Sequence, residues 1–425
     1  MKFTFCGFLL FSAWLNIFAL GNPDFDTYFL DKTLRFDYYH SGNSVSESIT
    51  SDREKEEPYW AGSKKNLIDP FRYGKYMVMI YDSASGRLIY SKGYSTLFSE
   101  WQTTDEAKHI DRTFSETVTF PFPKATVRLE ILSRNKKGEF VSRFSRFIFP
   151  SDYFIENGSN TTYHVNKILE SGKPDEKVDI VIIPDGYTKE QMGKFNDDCK
   201  KFAAYLFKAS PFRENKGKFN ITAVEAYSEE SGTDIPAEHI WRNTAVNTTF
   251  YTFNEDRYLM TNDNRTLRDI ASCTPYDQIY ILVNTGKYGG GSIYNHYSVC
   301  VSDNKYEEYI FTHEFGHGFA GLGDEYYTSS VAYVDFYPHD VEPWEANLTT
   351  LVDFGKKWKS MLKKDTPVPT PPGSNYTVGV YEGGGYSEKG VYRAAEDCTM
   401  KSISIDNFCP VCRKAIIDMI NYYTE

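Results

Sequence analysis

His313-Glu314-Phe315-Gly316-His317-Gly318-Phe319-Ala320-Gly321-Leu322-Gly323-Asp324-Glu325-Tyr326 is the stretch on which the rest of the chain depends. Its two histidines stand four residues apart, with a glutamate directly after the first. On a helix, positions i and i+4 share one face, so His313 and His317 can hold a single metal ion. Glu314 projects beside that pair, where its carboxylate can activate a zinc-bound water. A catalytic zinc site uses three protein ligands and keeps one position open, so a third ligand must come from outside the helix. Gly321 to Gly323 predict the helix stop, because glycine tolerates the left-handed turn that ends a helix. The chain then folds back and presents Asp324, eleven residues after His313, with Glu325 as the second choice. Two buried histidines and a glutamate on one apolar face would be costly without a metal.

The full string H-E-F-G-H-G-F-A-G-L-G-D-E-Y resembles the M64 family of bacterial metallopeptidases, named after an immunoglobulin A peptidase and similar to the metzincin zinc peptidases. A metzincin has H-E-x-x-H-x-x-G-x-x-H. Here Ala320 stands at the glycine position and Gly323 at the third-ligand position. Both features recur one residue later, as Gly321 and Asp324, and the M64 pattern has the same offset. The resemblance therefore implies zinc on His313, His317 and Asp324. It further implies a methionine turn beneath the metal at Cys398-Thr399-Met400, with Met400 a packing support and not a ligand. Many metzincins place a tyrosine two residues after that methionine. This chain has Ser402, which leaves Tyr326 and Tyr386 as candidates for stabilising a transition state.

The chain has 425 residues and a formal charge of −11, long enough for two domains with cores of their own. The acidic balance argues against nucleic acid or an anionic membrane as a partner. Met1 to Gly21 reads as a secretory signal: Lys2 starts it, a mostly apolar run follows, and Ala19-Leu20-Gly21 fits a cleavage site. No later run of about 18 apolar residues would span a membrane. The protein is therefore expected to be exported: secreted, periplasmic or at the cell surface. Six cysteines follow the signal, and Cys398, Cys409 and Cys412 cluster near the end. A disulfide among them fits an exported protein. Cys409-Pro410-Val411-Cys412 also has redox or metal spacing, but a lone C-x-x-C favours a structural role.

Residues 22 to 155 read as an all-β sandwich. Leu34 to His40 and Lys75 to Tyr81 are strand-like, and Val127, Leu129 and Ile131 alternate with Arg128 and Glu130. A turn at Asn135-Lys136-Lys137-Gly138 leads to a return strand from Phe140 to Phe149. His40 and His109 are isolated packing or surface residues. Residues 156 to 177 form a polar connection. Residues 178 to 425 form the metallopeptidase domain, around a mixed sheet with an active-site helix. Its expected strands are Val178 to Ile183, Phe219 to Tyr227 and Gln278 to Val283. Its helices begin with a capping box at Thr188 and Gln191 and continue with Asp256 to Ser272, Lys305 to Ala320 and Val411 to Tyr423. Gly289-Gly290-Gly291 leads into Ser292 to Val301, an expected edge strand to which a substrate peptide could add itself. His296 within it is a bystander.

The combined expectation is a two-domain exported zinc endopeptidase acting on proteins or peptides, with Glu314 as general acid–base. The alternatives are a zinc peptidase limited to small peptides and a non-catalytic surface binding protein with structural zinc. Every motif with a chemical rationale lies after residue 160, so that segment is expected to fold and cleave short peptides by itself.

Overall fold

A computed structural model describes residues 21–158, 162–328, 336–374, 376–404 and 406–425. Met1–Leu20, nearly all of the expected signal, lie outside the described residues. The N-terminal half is built from β1 (Phe29–Gly42), β2 (Glu47–Glu57), β3 (Tyr76–Asp82), β4 (Leu88–Tyr94), β5 (Arg112–Pro123), β6 (Val127–Arg134), β7 (Phe140–Ile148) and the short β8 (Glu156–Asn157). One sheet runs β5-β1-β2-β8 and the other β4-β3-β6-β7. Phe36, Tyr38, Val118 and Phe120 of the first share an apolar core with Val78, Ile80, Leu129 and Ile131 of the second. The expected hairpin forms, with Val127 opposite Ile148 and Arg134 opposite Phe140.

Strand alternation gives β1 two buried faces of different chemistry. Leu34, Phe36 and Tyr38 enter the sandwich core. Arg35 and Asp37 point the other way and are also fully buried, because the second half of the chain covers them. Arg35 donates to both carboxylate oxygens of Asp37 at 2.8 Å and to Asp269 Oδ1 at 2.8 Å. Lys55 donates to the same Asp269 oxygen at 2.7 Å. Phe98, Trp101 and Phe114 belong to the apolar cluster that also holds the strands of the second half. The stretch 156–177, expected to be a polar connection, carries strand residues of both halves: Glu156–Asn157 pairs with β2, and Val165–Leu169 is an edge strand of the second half, while a continuous core and an ion cluster join the halves in space. That interface argues against a second half that folds alone.

The second half centres on a six-stranded mixed sheet. Its strands are β9 (Val165–Leu169), β10 (Val178–Asp185), β11 (Phe219–Val224), β12 (Gln278–Val283), β13 (Gly290–Ile293) and β14 (Tyr297–Val301), in the order β13-β14-β12-β10-β11-β9. The middle four are parallel, and β9 and β13 are antiparallel edges. The capping box at Thr188 and Gln191 forms, and Met192–Leu206 continues as helix. The helix expected over 256–272 is confined to Asn264–Ala271, capped by Asp263. A small sheet of β15 (Leu348–Thr349), β16 (Tyr381–Gly384) and β17 (Ser387–Arg393) follows in the chain. Helix Pro410–Thr424 closes the chain.

The expected edge strand is corrected in two respects. Ser292 to Val301 is a hairpin, and only Gly290–Ile293 lies at the edge. At Gly290 that edge is already occupied: its N–H donates to Arg257 O and its carbonyl accepts from Leu259 N, both at 3.2 Å. The glycines serve packing within the chain. A Cβ on Gly291 would meet Met260 Sδ at 2.5 Å, and one on Gly290 would meet Ile310 Cγ2 at 2.8 Å and Glu314 Cγ at 3.4 Å.

Candidate active site

The motif helix spans Glu307–Ala320, with Glu307 and Glu308 at its start, where the helix dipole favours acidic side chains. Gly321 ends it at φ 60°, the left-handed conformation that glycine adopts without a steric penalty. Leu322 N donates to Gly316 O at 3.2 Å, so the chain turns back under the helix. Asn347 then brackets the next residues: its amide donates to Gly323 O at 2.8 Å and accepts from Gly323 N at 2.8 Å. Asp324 O and Glu325 N bond to opposite neighbours, Gly385 N and Met400 O, each at 2.8 Å. The two acidic side chains consequently face opposite ways.

Asp324 faces the histidines. Its Oδ1 lies 3.1 Å from His313 Nε2 and 3.3 Å from His317 Nε2, and the two Nε2 atoms are 3.1 Å apart. The far nitrogen of each ring is held by a carbonyl: His313 Nδ1 by Thr399 O at 3.0 Å, and His317 Nδ1 by Leu322 O at 2.5 Å. A carbonyl only accepts, so each Nδ1 carries the hydrogen and a neutral ring presents a bare Nε2. Three bare acceptors so close repel one another unless a cation stands among them. Bonds of about 2.0–2.1 Å in a tetrahedral shell would put ligand atoms about 3.3 Å apart, close to what is seen. Tyr386 donates to Asp324 Oδ2 at 2.5 Å and leaves Oδ1 aimed at the histidines, buried and without a hydrogen-bond donor. These residues fit a zinc ion or a cation of similar preference.

Glu325 points to the other side, where Asn347 Nδ2 and Cys412 Sγ reach its Oε1 at 2.9 and 3.2 Å. Met400 is fully buried, and a Cβ on Gly316 would stand 3.0 Å from its Sδ. It therefore packs directly beneath the motif helix. His296 is buried against Arg268, with Nδ1 3.1 Å from Nη2, and has no part in the site. His40 is a packing residue, stacked on Phe98 at 3.9 Å and paired with Glu116 at 2.8 Å.

A cleft of about 620 Å³ opens above the three ligand atoms, and Glu314 lines it. Burial raises the Glu314 carboxyl's pKa, opposed by His313 and His317. One wall comes from the first half of the chain, through Lys75, Ser95, Glu100 and Arg134. Sequence reasoning missed this contribution, together with Arg257, Tyr288 and Tyr309. Arg257 lies over the Tyr326 ring at 5.8 Å and lines the same cleft. Burial works against its charge, and Tyr326, Tyr288 and Asp324 more than offset it. Only Tyr309 had a signal in the sequence, since it stands four residues before His313 on the same helical face. Its hydroxyl is 3.3 Å from His313 Nδ1.

The geometry sets a graded expectation. Asp324→Ala removes a ligand atom and should weaken divalent-cation binding at the two histidines by more than about 100-fold. Tyr386→Phe removes only the group that orients Asp324 and should cost about 10–100-fold, as supporting hydrogen bonds to metal ligands generally do. Competition with a chromophoric chelator, read on metal-free protein, measures both. Equal losses would mean that Tyr386 has some other role, and no loss for Asp324→Ala would remove it from the ligand set.

Residues 166–377 and 372–420 match the family described as IgA Peptidase M64, and residues 24–145 match the one described as Peptidase M64 N-terminus. No curated protein sequence is similar enough to count as a match. With both halves matched and the motif helix inside the larger match, the chain belongs to the M64 peptidase family, whose members are metallopeptidases.

Proposed function

We propose that this protein is an exported zinc endopeptidase that hydrolyses peptide bonds within proteins or peptides. One observation carries the proposal: His313 Nε2, His317 Nε2 and Asp324 Oδ1 converge at the floor of a cleft that Glu314 also lines. Two imidazoles and a carboxylate with a side open to the cleft make a catalytic donor set, whereas structural zinc sites are closed by four protein ligands. When bound, zinc supplies a Lewis acid for the scissile carbonyl and lowers the pKa of a water to about 7.

The other steps belong to the chain's own residues. Glu314 accepts the proton of the attacking water on its carboxylate and passes it to the leaving amine nitrogen. Thr399 O and Leu322 O keep both imidazoles in the tautomer that presents Nε2 to the cleft. Tyr386 fixes the orientation of Asp324. Arg257 places a positive charge on the cleft wall, where it can hold a substrate carbonyl or carboxylate. A cleft built from both halves of the chain suits an extended peptide more than a dipeptide. Export is supported by the signal pattern in Met1 to Gly21. No helix among the described residues is long and apolar enough to cross a membrane.

Digestion of a peptide library tests the proposal, with products identified by mass spectrometry. Internal cuts are expected, lost after treatment with a strong chelator and restored by zinc. Cleavage that survives complete metal removal would overturn the zinc mechanism. Release of terminal residues alone would restrict the enzyme to small peptides.

A further inference from the structure

A second cluster of metal-binding side chains lies on the far side of the loop that carries Asp324. Glu325, Cys398, Cys409 and Cys412 each offer a ligand atom, and these atoms all fall within 4.8 Å of one another. All four residues are buried. From this geometry we infer that they form a second, closed metal site, which takes zinc or another thiophilic divalent cation and has a structural role.

Cys409 and Cys412 have the two-residue spacing of a zinc knuckle, and Cys398 comes from a separate turn. The Cys398 and Cys412 sulfurs are 3.7 Å apart. Two Zn–S bonds of about 2.3 Å at a tetrahedral angle would separate sulfurs by about 3.8 Å. Cys409 N donates to Cys398 Sγ at 3.3 Å, and Cys412 N donates to Cys409 Sγ at 3.5 Å. Backbone N–H groups directed at sulfur stabilise thiolates, and Cys409 also caps the N-terminus of helix Pro410–Thr424, where the helix dipole favours negative charge.

The fourth ligand is the independent observation. Glu325 is completely buried, and its Oε2 has no hydrogen-bond partner. A disulfide between any two of the cysteines would leave one thiol over and would not satisfy this oxygen. A metal held by three thiolates and a carboxylate uses every member of the cluster.

The position explains the purpose. Glu325 directly follows Asp324, and Cys398 precedes Met400 by two residues. Glu325 N also bonds to Met400 O. A metal here would tie the Asp324 loop, the methionine turn and the final helix into one unit under the first site. It would fix Asp324 without touching a substrate.

The test is metal analysis of the purified, reduced protein, with cobalt as a spectroscopic probe. Two zinc ions per chain are expected, one after His317→Ala, and one after the double change Cys409→Ser with Cys412→Ser. The cobalt-loaded protein should show thiolate-to-cobalt charge-transfer absorption in the near ultraviolet, and His317→Ala should retain it. That retention separates this site from the first, so either can fail alone. If the double variant does not fold, the spectra of the wild type and His317→Ala still decide. Absence of the thiolate band would overturn the inference. So would a single metal that His317→Ala eliminates, or, before any reductant is added, a mass two hydrogens short from a disulfide within the cluster.

Discussion

Glu314→Gln is expected to keep its metal and its fold and to lose peptide hydrolysis by about 10²–10⁴-fold, the usual contribution of a general acid–base group. The side chain lines the cleft but is not one of the three converging ligand atoms. Glutamine has nearly the same shape, so the packing of the side chain is retained. What disappears is the ability to take a proton. Metal content, thermal unfolding and turnover of one peptide substrate should be measured on the same preparation. Unchanged metal and stability with lost turnover is the expected combination. Undiminished turnover, with trace protease excluded, would remove Glu314 from the chemistry. Parallel loss of metal would make it a ligand or a support for one.

The motif helix and its stop were legible because local rules determine them. Histidine spacing, acidic residues at the helix start and the left-handed glycine all act within one or two turns. Asp324 was preferred to Glu325 through the M64 resemblance, and in the fold only the backbone bonds to Gly385 and Met400 separate the directions of the two side chains. The other parts of the site depend on distant pairings. Tyr386 is 62 residues from Asp324, and Cys412 is 87 from Glu325. No periodicity encodes those distances. The glycine run misled because glycine signals close approach without naming what approaches, which here is Met260 and Tyr258. The place of Arg35 and Asp37 was not legible at all. A charged pair alternating with Leu34, Phe36 and Tyr38 has the pattern of a solvent face, yet it lies at the centre of an interface.

That interface leads to the largest expected effect on the fold: the segment from 160 to 425, expressed alone, should be insoluble or loosely folded, and inactive. Asp269 has Arg35 and Lys55 as partners, both from the first half. Tyr276 donates to Glu57 at 3.1 Å, and Asn264 donates to Thr117 at 2.7 Å. Asp269 is 35 % exposed, so losing these partners costs less than breaking a fully buried ion pair, and most of the loss falls on the shared core. Loss of a buried Phe or Trp from a packed core costs about 3–5 kcal/mol, and the truncation strips Phe98, Trp101 and Phe114 from the shared core together. Against a typical stability of about 5–15 kcal/mol, these losses together are enough to unfold the remainder. The cleft would also lose the wall that carries Glu100 and Arg134. Near-ultraviolet circular dichroism, cooperative thermal unfolding and cleavage of a short peptide, compared between the truncated and whole chains, provide the test. A truncated protein that melts cooperatively, holds its metal and cuts the short peptide at the full rate would show that the sandwich contributes neither stability nor cleft. A less drastic variant, Arg35→Met, separates the two roles. It should lower the melting temperature while leaving the cleft residues in place, so turnover below the transition should change little.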